Sequence, residues 1–169
     1  MPGNKLFTVD FSDLDFVNDR YEIDFGDLSE LLDKYQVVIP AGNAVATADD
    51  CGRFFQCLLD GGTLDGVRVF QPLTVRRAVA EVGKPEVDRL LLAPLRYSAG
   101  MMLGDRRIGL YGPDTAQAFG HLGFANIFAW ADPQRDISVA LLTTGKLVLG
   151  PHLPALWSLL SRISQHCPT

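Results

Sequence analysis

The chain has 169 residues, of which 47% are hydrophobic and 21% are charged, and its formal net charge is −5 at pH 7. The length suits one globular domain with a buried core, and the composition excludes wholesale disorder, a collagen-like repeat and a disulfide scaffold. Every apolar run is shorter than the roughly 18–20 residues of a membrane-spanning helix, so no membrane span is predicted. The negative charge argues against nucleic acid or an anionic membrane as a partner.

Acidic residues are concentrated at the beginning of the chain. Residues 1–36 hold nine acidic and three basic side chains, whereas the rest of the chain holds eleven acidic and twelve basic ones. We therefore divide the chain into an acidic N-terminal segment, residues 1–36, whose structure the pattern leaves open, and a main domain over residues 37–169. A solvated surface is the expected role of such a charge excess.

The cysteines and the first residues bear on redox compartment and metal binding. Cys51, Cys57 and Cys167 are an odd number, and their spacing matches no zinc motif, so reduced thiols and no metal site are expected. On the helix predicted below, Cys51 is expected in the core and Cys57 at the edge. The first residues also lack the basic and apolar stretches of a secretory signal. Together these features favour a cytoplasmic location.

The clearest predicted element is a helix over residues 47–60. Thr47 is a suitable N-cap, and Asp49 and Asp50 lie in the first turn, where the helix dipole favours anions. Gly61-Gly62 is expected to end the helix. A turn at residues 64–66 and an extended piece at 67–69 are expected to follow. The apolar residues recur at helical spacing and define one buried face: Cys51, Phe54, Phe55, Leu58 and Leu59.

A second helix is predicted to begin at Pro72, a favoured first helical residue, and to end at Gly83. After a connecting loop the pattern becomes typical of strands, with one strand predicted over residues 96–103 and another over 107–111. The second helix is expected to bury a stripe of four apolar side chains: Val75, Ala78, Val79 and Val82.

The last third of the chain predicts a hairpin and a helix. Two apolar runs, residues 124–131 and 137–143, flank a turn-rich segment and indicate an antiparallel hairpin buried on both faces. Trp130 and Trp157 are expected in the core. The complete order predicts an α+β fold, an antiparallel sheet flanked by helices. The C-terminal helix is predicted from a stripe formed by Leu153, Leu156, Trp157, Leu160 and Ile163.

Three stretches together resemble the serine beta-lactamase family, in the branch of class C beta-lactamase-like esterases and penicillin-binding-protein relatives. Residues 40–54, PAGNAVATADDCGRF, are similar to its segment AGGLVSTAxDLARF. Residues 58–75, which contain LLDGGTLDGVRV and QPLTV, are similar to LLNGGxLDGxRLL and SPxTV. Residues 119–133, which contain FGHLGF and WADP, resemble FGHxG and the turn after it. The resemblance covers residues 37 to about 165 and implies the C-terminal portion of that family's α/β sandwich.

The resemblance also implies a chemistry. In this family the serine of a Ser-x-x-Lys motif attacks a carbonyl group, helped by the lysine and by the tyrosine of a Tyr-x-Asn motif, and no cofactor is expected. No serine of this sequence has a lysine three positions later, and no tyrosine has an asparagine two positions later. The resemblance therefore implies a fragment of a serine hydrolase that is inactive alone: a truncated product, a split protein or an excised piece.

The family's third motif supplies the candidate site residues. His121 stands where a Lys-Thr-Gly or His-x-Gly triplet begins, and the resemblance implies that it directs a donor or a cation at the substrate carboxylate or at the tyrosine. Gly123 would let the backbone approach the substrate, and the N–H of Phe124 would form half of an oxyanion hole. Gly42 and Asn43 are weaker candidates for lining the cleft, because a Gly-Asn pair is ordinarily a turn.

Several alternatives remain open at this stage. A first hypothesis is that the chain is part of an acyl-transfer hydrolase for small-molecule substrates. A second is a non-catalytic binding module that kept the sheet, and a third is a remnant of marginal stability. Leu122 replaces a hydroxyl residue often used to recognise beta-lactams, so esters or other acyl substrates are favoured over antibiotics. His121 has an ordinary alternative as a polar strand residue bonded to backbone. Exposed apolar surface and an unpaired strand edge predict self-association or an N-terminal companion segment.

Overall fold

A computed structural model describes residues 46–84, 86–88, 91, 93–123, 127–143 and 153–167. The acidic N-terminal segment, Gly42, Asn43 and Phe124 lie outside the described residues. The elements in chain order are α1 (Ala48–Leu59), β1 (Thr63–Leu64), β2 (Val67–Arg68), α2 (Pro72–Val79), β3 (Glu86–Asp88), β4 (Ala93–Tyr97), β5 (Met102–Leu103), β6 (Phe119–Gly123), β7 (Ile127–Asp132), β8 (Ile137–Leu141) and α3 (Leu153–His166).

Strands β3 to β8 form one antiparallel sheet in which spatial order follows chain order. Helix α1 packs across β7 and β8 on one face, and α3 packs on the other. The predicted α+β class is confirmed. The predicted hairpin is also confirmed: β7 and β8 pair from Phe128 opposite Leu141 to Asp132 opposite Ile137.

The core consists of one apolar cluster on each face of the sheet. Because side chains alternate along a strand, β7 contributes to both clusters, with Ala131 on the α1 face and Phe128 and Trp130 on the α3 face. The first cluster combines Phe55, Leu58, Val75, Leu103, Phe119 and Ala131. The second combines Tyr111, Ala118, Phe128, Trp130 and Leu160.

Helix α1 begins with the predicted cap. The Thr47 hydroxyl accepts a hydrogen bond from the Asp50 N–H at 3.1 Å, and the Asp50 carboxylate accepts one from the Thr47 N–H at 3.0 Å. The hydrogen bonds from the Thr47 side chain and backbone lower the pKa of Asp50. Gly61 and Gly62 follow the helix at φ values of 63° and 95°, a conformation that glycine adopts without steric cost.

The buried face of α1 differs from the predicted stripe. Phe55 and Leu58 are buried, but Phe54 is 44% exposed and meets Phe55 and Phe70 edge to face, at 5.4 and 6.4 Å between ring centroids. The expectation for the cysteines is wrong: Cys57 is 2% exposed and Cys51 is only half-buried. Positions 55 and 57 lie on different sides of a helix, so α1 is covered on more than one side. A single apolar stripe does not reveal such coverage.

The predicted turn after α1 closes a small hairpin between β1 and β2. Asp65 and Gly66 have φ values of 50° and 79°, as a two-residue hairpin turn with two left-handed positions requires. Arg53 of α1 pairs with Asp65, and Arg68 donates to the Gly61 carbonyl oxygen at 2.7 Å. These contacts attach the hairpin to the helix.

Helix α2 is shorter than predicted. It begins at Pro72 as expected but ends at Val79, and Ala80 already has extended backbone with ψ of 128°. The chain then joins the edge of β4, where the Val82 N–H donates to the Tyr97 carbonyl oxygen at 2.9 Å. Val82 is therefore 52% exposed and does not belong to the buried stripe.

Two predicted strands are also wrong. Residues 96–103 form two strands, because Ser98 closes a turn between them: its N–H donates to the Met101 carbonyl oxygen at 2.9 Å, and its hydroxyl accepts from the Met101 N–H at 2.9 Å. Residues 107–111 belong to the long loop between β5 and β6, which buries Tyr111 completely.

The two tryptophans have different environments. Trp130 is fully buried and stacks on Tyr111, with 5.4 Å between ring centroids. Trp157 is 42% exposed, contrary to the expectation of a core residue, and its indole N–H donates to the carbonyl oxygen of the buried Gly109 at 3.2 Å. Within the described ranges, no helix has both the length and the apolar character needed to cross a bilayer.

Candidate functional site

Strand β6 carries the candidate histidine in the middle of the sheet, between β5 and β7. Its first residue, Phe119, is buried against Phe55 of α1, with 6.5 Å between ring centroids. His121 lies two residues later and therefore on the same face, but it is exposed. The sheet thus presents His121 beside the part that α1 covers. It is the third of the five residues of β6.

The neighbours of His121 on this face are apolar. Its cross-strand partner on β7 is Ala129. On the β5 side, Leu103 pairs with Phe119 and Met102 with Gly120. The same antiparallel register places Met101 opposite His121. Ala129 and Met101 are half-buried and pack at the rim of the first cluster. The imidazole therefore stands at the edge of an apolar surface.

The His121 ring has one backbone contact. Its Nδ1 atom lies 2.7 Å from the carbonyl oxygen of Leu122, and in the tautomer with the proton on Nδ1 this nitrogen donates to that oxygen. The same tautomer leaves Nε2 as a hydrogen-bond acceptor, whereas a protonated ring offers a second donor there. Both forms can hydrogen-bond to a polar group placed beside the strand.

Two glycines beside His121 allow close strand approach. A Cβ atom on Gly120 would overlap the backbone of Ala129 and Trp130, so β6 and β7 meet at this point only because residue 120 has no side chain. At Gly123 a Cβ atom would lie 3.2 Å from the Cβ of Ile127, which is tighter than ordinary packing. In the structure Gly123 therefore packs against Ile127 of the neighbouring strand β7.

The described residues include only part of the predicted site. His121 and Gly123 are two residues apart on β6 and therefore lie on the same face of the sheet. Leu122, between them, lies on the opposite face and packs against the second cluster. The roles given to Phe124, Gly42 and Asn43 stay predictions. Sequence reasoning did not name Met101 or Ala129, because cross-strand neighbours depend on register.

The nucleophile and base of an acyl-transfer site are not assembled among the described residues. Lys84 is the one lysine there, it is exposed, and no described serine hydroxyl contacts it. The buried serine hydroxyls with partners bond to backbone, as Ser98 does with Met101 and Ser164 with Tyr111. In this part of the chain no three histidine, cysteine or acidic side chains are grouped as metal ligands.

An antiparallel sheet between helices, with an exposed histidine and a glycine on its central strand, fits the sheet portion of a serine hydrolase of the beta-lactamase type. The family model described as Beta-lactamase matches residues 4–158, and the chain belongs to that family. The match confirms the resemblance seen in the sequence and begins closer to the N-terminus than residue 37.

Individual relatives agree with this assignment. Esterase/beta-lactamase LipL of Mycobacterium tuberculosis is 31% identical over 104 residues, which are 62% of this chain and 23% of that protein. The structure of a penicillin-binding protein homologue from Caulobacter crescentus superposes with a TM-score of 0.63 and 32% identity, over 78% of this chain and 34% of that one. A family VIII carboxylesterase has the same fold at 19% identity and a TM-score of 0.53, over 70% and 31% of the two chains. The chain thus spans between 23% and 34% of the length of these relatives.

Proposed function

We propose that this chain forms the sheet side of an acyl-transfer site in a serine hydrolase, with His121 in contact with the substrate. One observation carries the proposal: His121 is exposed on a central strand, while Phe119, two residues earlier on the same face, is buried. A central strand paired on both sides is a rigid support, as a positioned catalytic group requires. The N–H after Gly123 is proposed as half of the oxyanion hole.

The proposed reaction needs a nucleophile from outside these 169 residues, which contain neither Ser-x-x-Lys nor Tyr-x-Asn. A companion segment with both motifs would supply the serine oxygen that attacks the carbonyl carbon and the base that takes its proton. The former carbonyl oxygen becomes an anion held by two N–H groups; it re-forms the carbonyl and expels the leaving group, which takes the proton from the base. Water then hydrolyses the acyl-enzyme. Without that segment the chain is proposed to be inactive.

We propose a small uncharged ester as the preferred substrate, with amides and beta-lactams as alternatives. Met101 and Ala129 offer apolar surface beside His121, and residue 122 is a leucine without a hydroxyl group. One relative is named esterase/beta-lactamase and another a penicillin-binding protein homologue, so esters and beta-lactams are both retained as candidate substrates. The three free cysteines favour a reducing compartment, so the cytoplasm is the proposed location.

A second candidate function is a non-catalytic binding module that retains the sheet. The observation in its favour is the absence of both catalytic motifs from the sequence. The same experiment distinguishes the two functions, because a binding module would associate with a companion segment or ligand without acquiring acyl-transfer activity.

The test begins with the full chain alone, treated with a fluorescent penicillin and a fluorophosphonate. We expect no covalent adduct on serine by intact mass. The chain is then mixed with the complementary N-terminal segment of the Caulobacter crescentus homologue, and hydrolysis of p-nitrophenyl butyrate is measured. We expect activity to appear. His121→Ala should lower kcat/KM roughly tenfold or more, equivalent to about 1.4 kcal/mol of transition-state stabilisation.

His166→Ala is the matched control, because His166 is an exposed histidine on α3, a helix on the opposite face of the sheet from His121. Its kcat/KM should equal that of the unchanged chain. A stable complex without acylation would favour the binding module. Equal activity of the His121→Ala variant would reduce His121 to a structural residue, and a serine adduct on the chain alone would contradict the need for a companion.

A further inference from the structure

Strand β5, which lies beside the strand of the candidate histidine, has only two residues. It joins β6 through two residue pairs, and Met102 opposite Gly120 is the one nearer to His121. Strands in globular proteins ordinarily have about three to ten residues, so two pairs are a weak attachment. Met101, the apolar neighbour of the imidazole, comes just before Met102 in the chain. Its place beside His121 therefore depends on how firmly β5 is held at Met102.

A tyrosine from the loop between β5 and β6 strengthens this attachment. The Tyr111 hydroxyl donates to the Met102 carbonyl oxygen at 3.1 Å, and the Tyr111 ring stacks on Trp130 of β7 with 5.4 Å between ring centroids. Met102 and Trp130 are the two cross-strand partners of Gly120, so they stand two strand spacings apart, about 9.5 Å. One side chain thus connects the two strands that flank β6, in the row of residues directly before His121.

Gly120 explains why this connection comes from a loop. Phe119 and His121 are on the α1 face of the sheet, so the residue between them is on the α3 face. Tyr111 and Trp130 lie on that same face. A side chain at residue 120 would ordinarily pack against both neighbouring strands. Gly120 has none, and the Tyr111 side chain makes the contact between β5 and β7 instead.

Tyr111 is itself fixed at several points. Its side chain is fully buried, and its carbonyl oxygen accepts a hydrogen bond from the Ser164 hydroxyl of α3 at 2.6 Å. In the same loop, the buried Thr115 hydroxyl donates to the carbonyl oxygen of Gly112, the residue after Tyr111, at 2.9 Å. Because the backbone, the ring and the hydroxyl of Tyr111 are all held, its position fixes that of Met102, as a group that supports a site must.

We propose that Tyr111 is a positioning residue that keeps Met101 in contact with His121. It acts through the Met102 carbonyl group and does not touch substrate, because it lies on the opposite face of the sheet from the imidazole. The consequence for catalysis rests on the proposed function: an ester whose acyl chain packs on Met101 needs that side chain fixed. Loss of the phenol hydroxyl therefore weakens the binding of longer acyl chains, which raises KM, and leaves the chemical step and kcat unchanged.

The first test is NMR of the full chain with isotope-labelled methionine methyl groups, and it needs no companion segment. In the unchanged chain we expect a nuclear Overhauser effect between the Met101 methyl group and the His121 ring protons. In Tyr111→Phe, which keeps the ring, this effect should weaken at least about twofold, because β5 loses a hydrogen bond that holds it. Tyr97→Phe is the matched control: the lost hydroxyl donates to Asp88 at 2.7 Å, between β4 and β3, so the effect should not change.

A second variant keeps the test decisive if Tyr111→Phe does not fold. Ser164→Ala keeps the phenol but frees the backbone that carries it, so it should also weaken the effect between Met101 and His121. Slowly exchanging amides of α1 identify the variants that are folded. The proposal is wrong if the folded Tyr111→Phe variant, or Ser164→Ala in its place, keeps the full effect. It is also wrong if the Tyr97→Phe control loses as much.

The second test measures ester hydrolysis by the chain mixed with the companion segment. With p-nitrophenyl butyrate, Tyr111→Phe should raise KM about threefold to tenfold, because butyrate has two more methylene groups than acetate to place against Met101. KM for p-nitrophenyl acetate and kcat for both esters should stay the same, and Tyr97→Phe should alter none of these values. Equal KM values for butyrate in the two variants would overturn the proposal. If the unchanged chain gives no activity in this mixture, the proposed function fails, and the NMR comparison alone decides on Tyr111.

Discussion

Gly120 on β6 lies directly opposite Trp130 on β7, and the backbone of the tryptophan occupies the position that a side chain at residue 120 would need. A Cβ atom on Gly120 would lie 2.5 Å from the Cα of Trp130 and closer still to its Cβ and to the Ala129 carbonyl oxygen. Trp130 cannot yield, because it is fully buried and stacked on Tyr111. The glycine before His121 is therefore required by packing, and it sets the register that places His121 beside Ala129.

Gly120→Ala should destabilise the fold by about 3 kcal/mol, near the upper end of the usual cost of overpacking, because the added methyl group meets backbone atoms and not a flexible side chain. The unfolding midpoint in urea measures the effect. Gly100→Ala is the control: Gly100 is exposed, and a Cβ atom there would meet no atom within 4 Å. Its free energy of unfolding should change by less than about 0.5 kcal/mol. Equal midpoints for the two variants would contradict this account.

Local patterns predicted the elements whose determinants lie close together in sequence. Thr47 and Asp50 cap α1 through bonds within one helical turn. Asp65 and Gly66 form the turn between β1 and β2 through their own backbone conformations. The hairpin of β7 and β8 follows from two apolar runs around one turn. In each case the residues that form the element lie within a short stretch of the chain, at most residues 127 to 141 for the hairpin.

Features that depend on distant contacts were not predictable in the same way. Trp157 donates a hydrogen bond to the carbonyl group of Gly109, 48 residues earlier in the chain, and is partly exposed. Cys57 is buried on a side of α1 that carries no apolar stripe. For the site, a motif indicated His121, but its neighbour Met101 follows from the register of β5 against β6. Register depends on the whole sheet, which one strand does not encode.

Ser161 and Ser164 of α3 make a matched pair for testing buried hydroxyl groups. Ser164 is 1% exposed and donates to the Tyr111 carbonyl oxygen at 2.6 Å. Ser161 is 7% exposed, and its buried hydroxyl has no hydrogen-bond partner in the described structure. Ser164→Ala should cost about 1–2 kcal/mol, whereas Ser161→Ala should leave stability unchanged or raise it, since it removes an unpaired polar atom. Thermal unfolding of the two variants checks the difference, and the opposite ranking would contradict it.

Arg135 should be among the most sensitive charged residues of the fold. Its side chain is 6% exposed, donates to the Asp132 carboxylate at 2.7 Å, and also donates to the carbonyl oxygens of Asp114 and Ser164. Asp132 is itself 1% exposed, so Arg135→Ala leaves a buried carboxylate without its cation and should cost about 3–5 kcal/mol.

The exposed pair of Arg53 and Asp65 is the control for Arg135. Those side chains are 48% and 69% exposed, so Arg53→Ala should cost less than about 1 kcal/mol. Urea unfolding of both variants measures the two losses. If they were equal, the buried pair would contribute no more than a surface pair, and the account of Arg135 as the connection between the β7–β8 turn, the β5–β6 loop and α3 would be wrong.

The raised pKa of Tyr97 predicts how the stability of the fold changes in alkaline solution. Burial, followed by the hydrogen bond that its hydroxyl donates to Asp88 at 2.7 Å, raises its pKa to about 12 from an ordinary value of 10.0. Because the folded pKa is the higher one, the contribution to stability is fully present below pH 10 and is lost as the pH rises from 10 through about 12. The free energy of unfolding should therefore fall across that window.

Tyr97→Phe should make this decline shallower, because the residue that titrates differently in the two states is gone. It should not abolish the decline, since burial also raises the pKa of Tyr111 well above its ordinary value. Absorbance of the phenolate during alkaline titration should show Tyr97 ionising within the window and Tyr111 ionising only as the chain unfolds. An unchanged slope in Tyr97→Phe would show that the hydrogen bond to Asp88 does not couple ionisation of Tyr97 to folding.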